Sequence, residues 1–520
     1  MGVAAFLVPS LGESIFRKIE RHAGMIARHR LASCLAIGIL VLFIRGLLLP
    51  WWLVPKPAIY DEFSYLLQAD TFAHGRVTNP THPLWKFFES PYVLQHPTYA
   101  SKYPPGQSLF LAFGQTLFGD PWVGVWLSCG LLAAALVWTL QGWLPPGWAL
   151  LGGLFALPLS INSYWMNSYW GGSVAAIGGA LLLGGYARVV RHKQTWYAPV
   201  MGISIFLLAN TRPYEGLVFT IPVAIAFLFS RPRWPSLASI TAIVAVGFAA
   251  TGYYNRALTG SALQLPFTEY ARQYARIPLF NFQPLKASNA DVTPAMYDLH
   301  QNWEVSEWNK ARTLGLLPMR VQDWRTTAST IFGSAMVAVL IVVFFPDLWR
   351  DRRIRLPFLC VLAALAGSLI EVRFYEHYAA PVTAALFIVA VQALRHLRQW
   401  RPSGRFLSRA IPILALGFAA ATQIVVLVRP ARHPAIATRD TMAAALRDVG
   451  RKHVILVRYT GHQSPHEEWV YNGADIDSQD VIWAHDLGAA SNAPLLEYYK
   501  DRKIWLFQPD INFTKVDPYR

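Results

Sequence analysis

The sequence contains little charge and almost no cysteine. Only 15% of its 520 residues are charged while 54% are hydrophobic, a balance too apolar for an ordinary soluble domain. The three cysteines, Cys34, Cys129 and Cys360, all lie inside apolar runs. This placement argues against a disulfide framework and against a cysteine-based metal site. The composition instead predicts a polytopic membrane protein.

Acidic residues are outnumbered, with 30 Asp and Glu against 46 Lys and Arg, which gives a net charge of +16. A nucleic-acid-binding protein clusters its basic residues on one face, whereas here they form short groups between apolar runs. We therefore expect membrane lipids, and no nucleic acid, among the partners.

Eleven apolar runs are candidates for membrane-spanning helices, which need ~20 mostly apolar residues. The first follows a basic stretch, as in a signal peptide, but continues into "PWWLVPKP" rather than a small-residue cleavage site, so we expect an uncleaved span. The runs are Leu31 to Leu53, Trp122 to Leu140, Trp148 to Asn162, Ser173 to Val190, Tyr197 to Asn210, Tyr214 to Phe229, Leu237 to Tyr253, Thr327 to Phe345, Ile354 to Ile370, Tyr378 to Leu394 and Ile411 to Val428.

The basic residues of the short loops predict the orientation of these runs. If the N-terminus is cytoplasmic, every even-numbered run ends in the cytoplasm. Four of those exits are rich in Arg, namely "RVVRHKQ", "SRPRWPS", "DLWRDRRIR" and "RHLRQWRPSGR", and only "QGWLPPG" lacks a basic residue. The predicted fold class is therefore an all-α polytopic membrane protein with about eleven transmembrane helices, its N-terminus inside and its C-terminus outside.

This topology predicts a cytoplasmic segment at 1–30 and a transmembrane domain at 31–428, with outer loops at 55–121 and 255–325. An extracytoplasmic C-terminal domain is expected at 429–520. Its strand-like runs "HVILVRY" and "KIWLFQP" flank a helix-like "NAPLLEYYKDR", a pattern typical of a small α/β domain.

The first outer loop begins with "AIYDEFSYLLQAD", which sets two adjacent acids directly after an apolar run. The pattern from Asp61 to His74 predicts a helix too polar to cross the bilayer, which would lie along the outer interface. A second such helix is predicted in "SKYPPGQSLFLAFGQTLFG". Between them, "GRVTNPTHPLWKFFESPYVLQHPTYA" predicts an extended wall rich in Pro, His and aromatic residues.

The adjacent acids Asp61 and Glu62 have two interpretations. An acid at the start of a helix caps its N-terminus, worth ~0.5 to 1 kcal/mol, but capping explains one acid and not a neighbouring pair. A partly desolvated carboxylate at the membrane edge is also well placed as a general base towards an acceptor hydroxyl. We predict both residues as catalytic candidates, with capping as the structural alternative.

A span followed by "DEFSYLLQADTFAHGR" and then by "YPPGQSLFLAFGQTLFGD" resembles the GT-C superfamily of integral-membrane glycosyltransferases that use polyprenyl-phosphate sugars. The resemblance is to the branch with protein mannosyltransferase-like and aminoarabinose transferase-like enzymes. It is strongest from Tyr60 to Asp120 and rests on topology elsewhere. It implies that Asp61 is the catalytic base or orients the acceptor, and that the sugar is transferred by direct displacement with inversion at the anomeric carbon.

Such a donor leaves a phosphate at the outer interface, where cations and hydrogen-bond donors must stabilise it. The spacing favours pairing of Arg212 with Glu215, and of Arg373 with Glu376 or His377. The alternative for each cation is snorkelling to the interface. The donor-binding candidates, all at predicted outer ends of segments, are Lys102, Tyr103, Arg212, Glu215, Arg373, Glu376 and His377.

Other outward features are less specific. Arg45 lies inside the first run, where a charge costs ~3 kcal/mol, so it should snorkel outwards or pair with an outer acid. The turn "NSYWMNSYWGG" offers amides and aromatic faces for a sugar, or an interfacial aromatic belt. The segment "EYARQYAR", with Arg272 and Arg276, is a candidate flap over the site.

Metal binding has weak support in the sequence. "HQSPHEEW" contains His462, His466 and Glu467 without the spacing of a helical zinc motif. Some GT-C relatives use a divalent metal, while users of polyprenyl monophosphates often do not. We expect no required cofactor.

The predicted function is hexosyl or pentosyl transfer from a polyprenyl phosphate to a glycan, lipid or protein acceptor on the periplasmic face of a bacterial inner membrane. The main alternative, a transporter or flippase, places ionisable groups near the bilayer midplane on broken, repeated helices. Here those groups gather at one face, and no internal repeat is visible. A polymer ligase with a diphosphate-linked donor also fits the enzyme class.

Overall fold

The computed structural model describes residues 12–289, 291–400, 403–428, 434–448, 450, 452–460 and 468–519. The segment with His462, His466 and Glu467 lies outside these ranges. Most of the described chain is helical, and strands occur in the first outer loop and near the C-terminus.

Six helices among the described residues are long and apolar enough to cross a membrane: Arg30–Leu47, Pro121–Trp143, Ser173–Arg191, Trp234–Thr259, Glu376–Leu397 and Ser403–Ile424. Four apolar helices are shorter: Pro146–Ile161, Thr195–Ala209, Pro213–Phe229 and Arg355–Ser368. Ten of the eleven predicted runs each overlap one of these helices. The remaining run, the eighth in the chain, overlaps two helices joined at a sharp bend. The structure thus gives six candidate spans, or up to seven with the bent pair, and the count of eleven stays a prediction.

The eighth predicted run, Thr327 to Phe345, is not one straight helix. The helix Leu316–Phe332 ends at Gly333, and the next helix runs at 118° to it. Gly333 has a φ of +67°, and an added Cβ there would lie 2.7 Å from a side-chain carbon of Pro158. Ser334 then caps the second helix by accepting a hydrogen bond from the Met336 N–H. A glycine followed by a capping serine therefore divides this apolar run.

The core lies between the apolar helices. The helix Thr383–Leu397 is buried along nearly all its length and packs against several of its neighbours. A helix that is apolar on every side is typical of the centre of a bundle. On one side of the bundle, the N-terminal helix Glu13–Arg28 is joined to the end of this central helix, because Glu20 pairs with Arg398 at 2.8 Å and with Arg409 at 3.0 Å.

The two helices predicted in the first outer loop are present as Tyr60–Ala73 and Gly106–Phe118. The wall between them holds a helical turn, Trp85–Phe88, and a short antiparallel pair of strands, β1 (Val93–Leu94) and β2 (Ala100–Ser101). Further helices follow in the long second outer loop and after the bend: Pro266–Gln273, Pro294–Tyr297, Asp298–Trp303, Glu304–Leu314 and Phe345–Arg350.

The C-terminal residues contain a four-stranded sheet. Its strands are β3 (His453–Val457), β4 (Val481–His485), β5 (Lys503–Phe507) and β6 (Val516–Pro518), in the order β4-β3-β5-β6. The pairs β3–β4 and β3–β5 are parallel and β5–β6 is antiparallel. Helices Pro434–Asp448 and Ala489–Tyr498 accompany the sheet. Two of the strands and the second helix match the predicted α/β pattern.

The sheet region packs directly on the first outer loop. The Asp70 carboxylate accepts a hydrogen bond from the Ala474 N–H at 2.8 Å. The rings of Phe63 and Tyr471 stack with centroids 4.2 Å apart. These contacts reach the helix that carries the adjacent acids, so the C-terminal region supports that helix.

Candidate active site

A cavity of about 610 Å³ opens where the first loop meets the other segments that were predicted to lie outside. The first loop, the start of the helix Pro213–Phe229, the second outer loop and the turn before Glu376 all contribute walls. The titratable side chains at this cavity, apart from its tyrosines, are Asp61, Lys102, Arg212, Glu215, His300, Glu304, Glu371, Arg373 and His377. Of the nine predicted site residues, seven line the cavity, and Glu62 and Glu376 do not.

Asp61 lies in the first turn of the helix Tyr60–Ala73 and faces the cavity. Its carboxylate accepts a hydrogen bond from the hydroxyl of Tyr103. Burial raises the pKa of Asp61 above its ordinary value, while Lys102, the Tyr103 hydroxyl and Arg212 oppose this rise. A carboxylate with a raised pKa is a stronger base towards a hydroxyl than an ordinary aspartate is.

Glu62 occupies a different environment from its neighbour. Its carboxylate accepts backbone hydrogen bonds from Ala58 at 2.6 Å, Ile59 at 3.2 Å and Tyr169 at 3.0 Å. Burial raises the pKa of Glu62 to about 7, although these N–H groups lower it. Glu62 thus satisfies the N–H groups that begin the helix and joins the helix to the "NSYWMNSYWGG" turn. The capping alternative applies to Glu62, and Asp61 is left to face the cavity.

Lys102 carries its ammonium group in an aromatic enclosure. Only 7% of the residue is exposed, and Nζ lies 3.0 Å from the ring centroid of Tyr92 and 4.9 Å from that of Phe267. Burial lowers the pKa of Lys102 to about 7, while Asp61 and Glu304 act against this shift. Desolvation disfavours the charged form of the amine. A bound anion would stabilise that charged form.

Arg373 pairs with Glu304 of the second outer loop, with Nη1 and Oε1 3.1 Å apart. Its other terminal nitrogen, Nη2, is buried and has no hydrogen-bond partner among the described residues. Glu304 also binds His300, whose Nδ1 lies 2.9 Å from Oε2. Burial alone would raise the pKa of Glu304, but His300 and Arg373 lower it to about 2. The guanidinium is therefore fixed by one carboxylate and keeps an unused donor.

His300 extends this chain of contacts to the first loop. Its Nε2 lies 2.8 Å from the hydroxyl of Tyr270, which accepts a hydrogen bond from the Tyr92 N–H at 2.8 Å. The second outer loop is thereby joined to the wall beside Lys102. Tyr270 belongs to "EYARQYAR", so the predicted flap contributes to the cavity through this tyrosine, whereas Arg272 pairs with Glu269 at 2.6 Å on the exposed side.

Arg212 is held next to the first loop by the backbone. The Gly106 N–H donates to the Asn210 carbonyl at 2.7 Å, and an added Cβ on Gly106 would lie 2.4 Å from Thr211 Cγ2. The predicted pair with Glu215 is present but long, with Nη1 and Oε1 3.9 Å apart. The guanidinium carbon lies 4.7 Å from the ring centroid of Tyr378.

The predicted pairing around Arg373 differs in the structure. Arg373 precedes the helical segment that begins at Glu376, so helical spacing does not apply to it, and its described ion-pair partner is Glu304. His377 lines the cavity and its Nδ1 lies 2.8 Å from the Tyr164 hydroxyl. Tyr164 belongs to the aromatic turn, which therefore supports the site.

Arg45 has no ion pair with an acid among the described residues, so the predicted pairing with an outer acid is not seen there. Arg45 is fully buried and donates to the carbonyl of Trp52 at 2.8 Å and of Leu53 at 3.2 Å. Its Nε donates to the Asn167 side chain at 3.2 Å, and its guanidinium lies 4.8 Å from the ring centroid of Trp122. Arg45 thus fixes the chain where it leaves the first apolar helix.

Five further residues line the cavity without having been predicted from the sequence: Tyr92, Tyr270, His300, Glu304 and Glu371. The separation of His300 and Glu304 by four residues was the one available signal, since such a pair shares a helical face. The others enter the cavity through contacts between loops.

Among the described residues, no group of three or more His, Cys, Asp or Glu side chains is arranged to hold a metal ion.

No protein-family model matches the sequence, and no curated protein matches it. Solved structures do match the fold. ArnT from Cupriavidus metallidurans, in the apo state, superposes with a TM-score of 0.53 at 14% identity, covering 92% of this chain and 94% of the other. The oligosaccharyltransferase of Archaeoglobus fulgidus, in complex with Zn and sulfate, gives 0.50 at 11% identity, covering 90% and 67%. At these identities the similarity is one of fold, and this chain therefore shares a largely helical fold with the two proteins.

Proposed function

We propose that the protein is a glycosyltransferase that moves a sugar from a polyprenyl phosphate to a hydroxyl acceptor on the extracytoplasmic face of a membrane. The observation that supports this most is the content of one cavity: a carboxylate, Asp61, and three cations, Lys102, Arg212 and Arg373. The similar structures include ArnT, an aminoarabinose transferase, and an oligosaccharyltransferase. The family resemblance of the first loop supports the same activity.

The reaction assigned to this cavity is a direct displacement. The acceptor oxygen attacks the anomeric carbon as its proton passes to Asp61, and a new glycosidic C–O bond forms. The bond from the anomeric carbon to the phosphate oxygen breaks, and the phosphate leaves with the electron pair. Lys102 and the unused Nη2 of Arg373 stabilise the leaving phosphate. Attack opposite the leaving group inverts the anomeric configuration.

The other cavity residues have supporting roles in this proposal. Tyr103 orients Asp61 through its hydrogen bond, and Glu304 fixes Arg373. Glu62 becomes a positioning residue, since its carboxylate is used by the backbone. Glu376 is left without an assigned role.

The proposed topology keeps the predicted one, with eleven spans, the N-terminus inside and the cavity outside. The first loop, the second outer loop and the turn before Glu376, all predicted to be outside, meet at the cavity. The N-terminal helix, predicted to be inside, meets both helices that flank the predicted cytoplasmic exit 395–405, because Glu20 pairs with Arg398 and with Arg409. We propose segments 1–30, 31–428 and 429–520 as the three parts of the chain, with the last supporting the first loop, in a bacterial inner membrane.

Turnover by the purified protein in nanodiscs tests this function. The substrates are polyprenyl phosphates carrying different sugars, with a crude envelope extract as acceptor source. The expected result is release of polyprenyl phosphate and transfer of one labelled sugar. A protein that binds none of these lipids and transfers none of the sugars would contradict the proposal and favour a transporter or flippase.

A further inference from the structure

Glu371 stands in the turn between the helix Arg355–Ser368 and Glu376, and its backbone is firmly held. Its carbonyl accepts a hydrogen bond from Arg320 Nη2 at 2.5 Å and one from Asn281 Nδ2 at 2.7 Å. It also forms an antiparallel bridge with Phe280 of the second outer loop. Contacts from two separate segments therefore fix the position of the Glu371 backbone.

The Glu371 side chain lines the cavity, and the residue is only 8% exposed. In the part of the chain that the structure describes, its carboxyl group has no hydrogen-bond or ion-pair partner. Its oxygens are not among the sealed, unpartnered atoms of the described residues but reach the cavity, where a ligand can complete their hydrogen bonds.

Charged and titratable groups from several elements surround Glu371. They are Glu215, Arg212 and Tyr214 from one helix, Arg320 from another, and Tyr378 from the segment after the turn. Burial and then Glu215 raise the pKa of Glu371 to about 9, against the opposing effect of Arg212 and Arg320. The carboxyl is therefore protonated at pH 7 and presents one O–H donor and one acceptor oxygen.

The O–H donor and the acceptor oxygen of the neutral Glu371 carboxyl suit a hydroxyl ligand better than a phosphate. A sugar hydroxyl both donates and accepts, as a neutral carboxyl does, whereas a phosphate is better served by Lys102 and Arg373 elsewhere on the same cavity. Glu215 and Glu371 also line a second pocket of about 20 Å³, enough for about one water molecule. The transferred sugar would thus end against these two acids.

We propose that Glu371 recognises a hydroxyl group of the transferred sugar by hydrogen bonding and thereby helps to select the sugar. The inference rests on the proposed glycosyltransferase function and adds to it a residue that determines specificity. Glu371 takes no part in bond breaking.

Lipid binding by the full-length protein in nanodiscs tests this inference. The probes are a polyprenyl phosphate without sugar, the same lipid carrying the sugar that the wild type transfers, and analogues of that sugar lacking one hydroxyl each. The proteins are wild type, Glu371→Gln, Glu371→Ala and, as a matched control, Glu307→Gln, whose side chain is 45% exposed and does not line the cavity.

We expect Glu371→Ala to weaken binding of the sugar-bearing lipid by about tenfold, as for loss of one hydrogen bond in an enclosed site, and to leave the bare lipid unchanged. Glu371→Gln, which keeps a donor and an acceptor, should bind within about twofold of wild type. One deoxy analogue should bind equally to wild type and Glu371→Ala. The ratio of wild-type affinity for the sugar-bearing lipid to that for the bare lipid should fall as pH rises through about 9, and the same ratio for Glu371→Gln should not.

Equal loss of affinity for bare and sugar-bearing lipids in Glu371→Ala would overturn the inference, since the residue would then act through the phosphate or the fold. Loss in Glu371→Gln as large as in Glu371→Ala would also overturn it, because an ionised carboxylate would then be required. In both cases wild-type turnover would still support the proposed function. A wild type that binds and transfers no sugar would overturn both.

Discussion

The side chains of Asp61 and Glu62 leave adjacent positions of one helix for different surroundings. Asp61 lines the cavity and accepts a hydrogen bond from Tyr103, whereas Glu62 accepts three hydrogen bonds from backbone N–H groups. The pair thus combines one group suited to chemistry with one that holds the helix in place. This division predicts different consequences for the two substitutions.

Glu62→Ala should lower the thermal stability of the protein, with a smaller effect on the turnover rate of the folded protein. Three N–H groups lose their acceptor, and leaving buried donors unsatisfied costs about 1–3 kcal/mol each. The measurement is thermal unfolding in detergent, followed by turnover normalised to folded protein. Glu307→Ala, at an exposed position, serves as the control. Normal unfolding together with complete loss of turnover in Glu62→Ala would contradict the assignment.

The pH dependence of kcat/KM for the donor should show a decline controlled by Lys102. The pKa of this amine is lowered to about 7, so its positive charge is lost as pH rises through that value, and phosphate binding weakens. Because kcat/KM reports the free enzyme, the shift should be visible there. Lys102→Arg keeps its charge and should move the decline to higher pH. An unchanged decline in Lys102→Arg would assign it to another group.

Arg373→Lys should lower kcat/KM for the donor by about 10- to 100-fold. A lysine cannot keep the ion pair with Glu304 and also offer a second donor to phosphate, as the guanidinium does. Steady-state kinetics with varied donor measure this effect. Arg312→Lys, an exposed substitution in the same outer region, should leave kcat/KM unchanged. Equal kinetics for both variants would remove Arg373 from the phosphate site.

Membrane topology is testable with single introduced cysteines, because the three native cysteines are buried. Arg272→Cys lies at an exposed position of the second outer loop, and Arg350→Cys at an exposed position of a predicted cytoplasmic loop. A membrane-impermeant thiol reagent added to intact cells should label the first and not the second. The reverse pattern would place the cavity in the cytoplasm.

Much of the site could be predicted from local sequence because its residues are unusual where they stand. Asp61, Lys102, Arg212 and Arg373 are charges at the predicted outer ends of segments, and all four line one cavity. Glu304 could not be found in this way, because it lies in a polar loop where an acid is ordinary. Its pairing with Arg373, 69 positions further along the chain, depends on how the second outer loop folds back.

The fold shows the same division between local and distant causes. Long apolar runs predict helices because a span needs about 20 such residues, and the two first-loop helices follow from polar periodicity. The 118° bend at Gly333 depends on close packing against Pro158, a contact with a distant helix. In the C-terminal sheet, β4 is a short apolar run whose role appears only when it pairs with β3.

The central claim is that the Asp61 carboxylate removes the acceptor proton. Its most direct test compares wild type with Asp61→Asn in nanodiscs, measuring both sugar transfer and affinity for the same sugar-bearing lipid. We predict that Asp61→Asn binds the lipid normally and transfers sugar ~10²- to 10⁴-fold more slowly, the contribution typical of a general base. Transfer at the wild-type rate by Asp61→Asn would contradict the account.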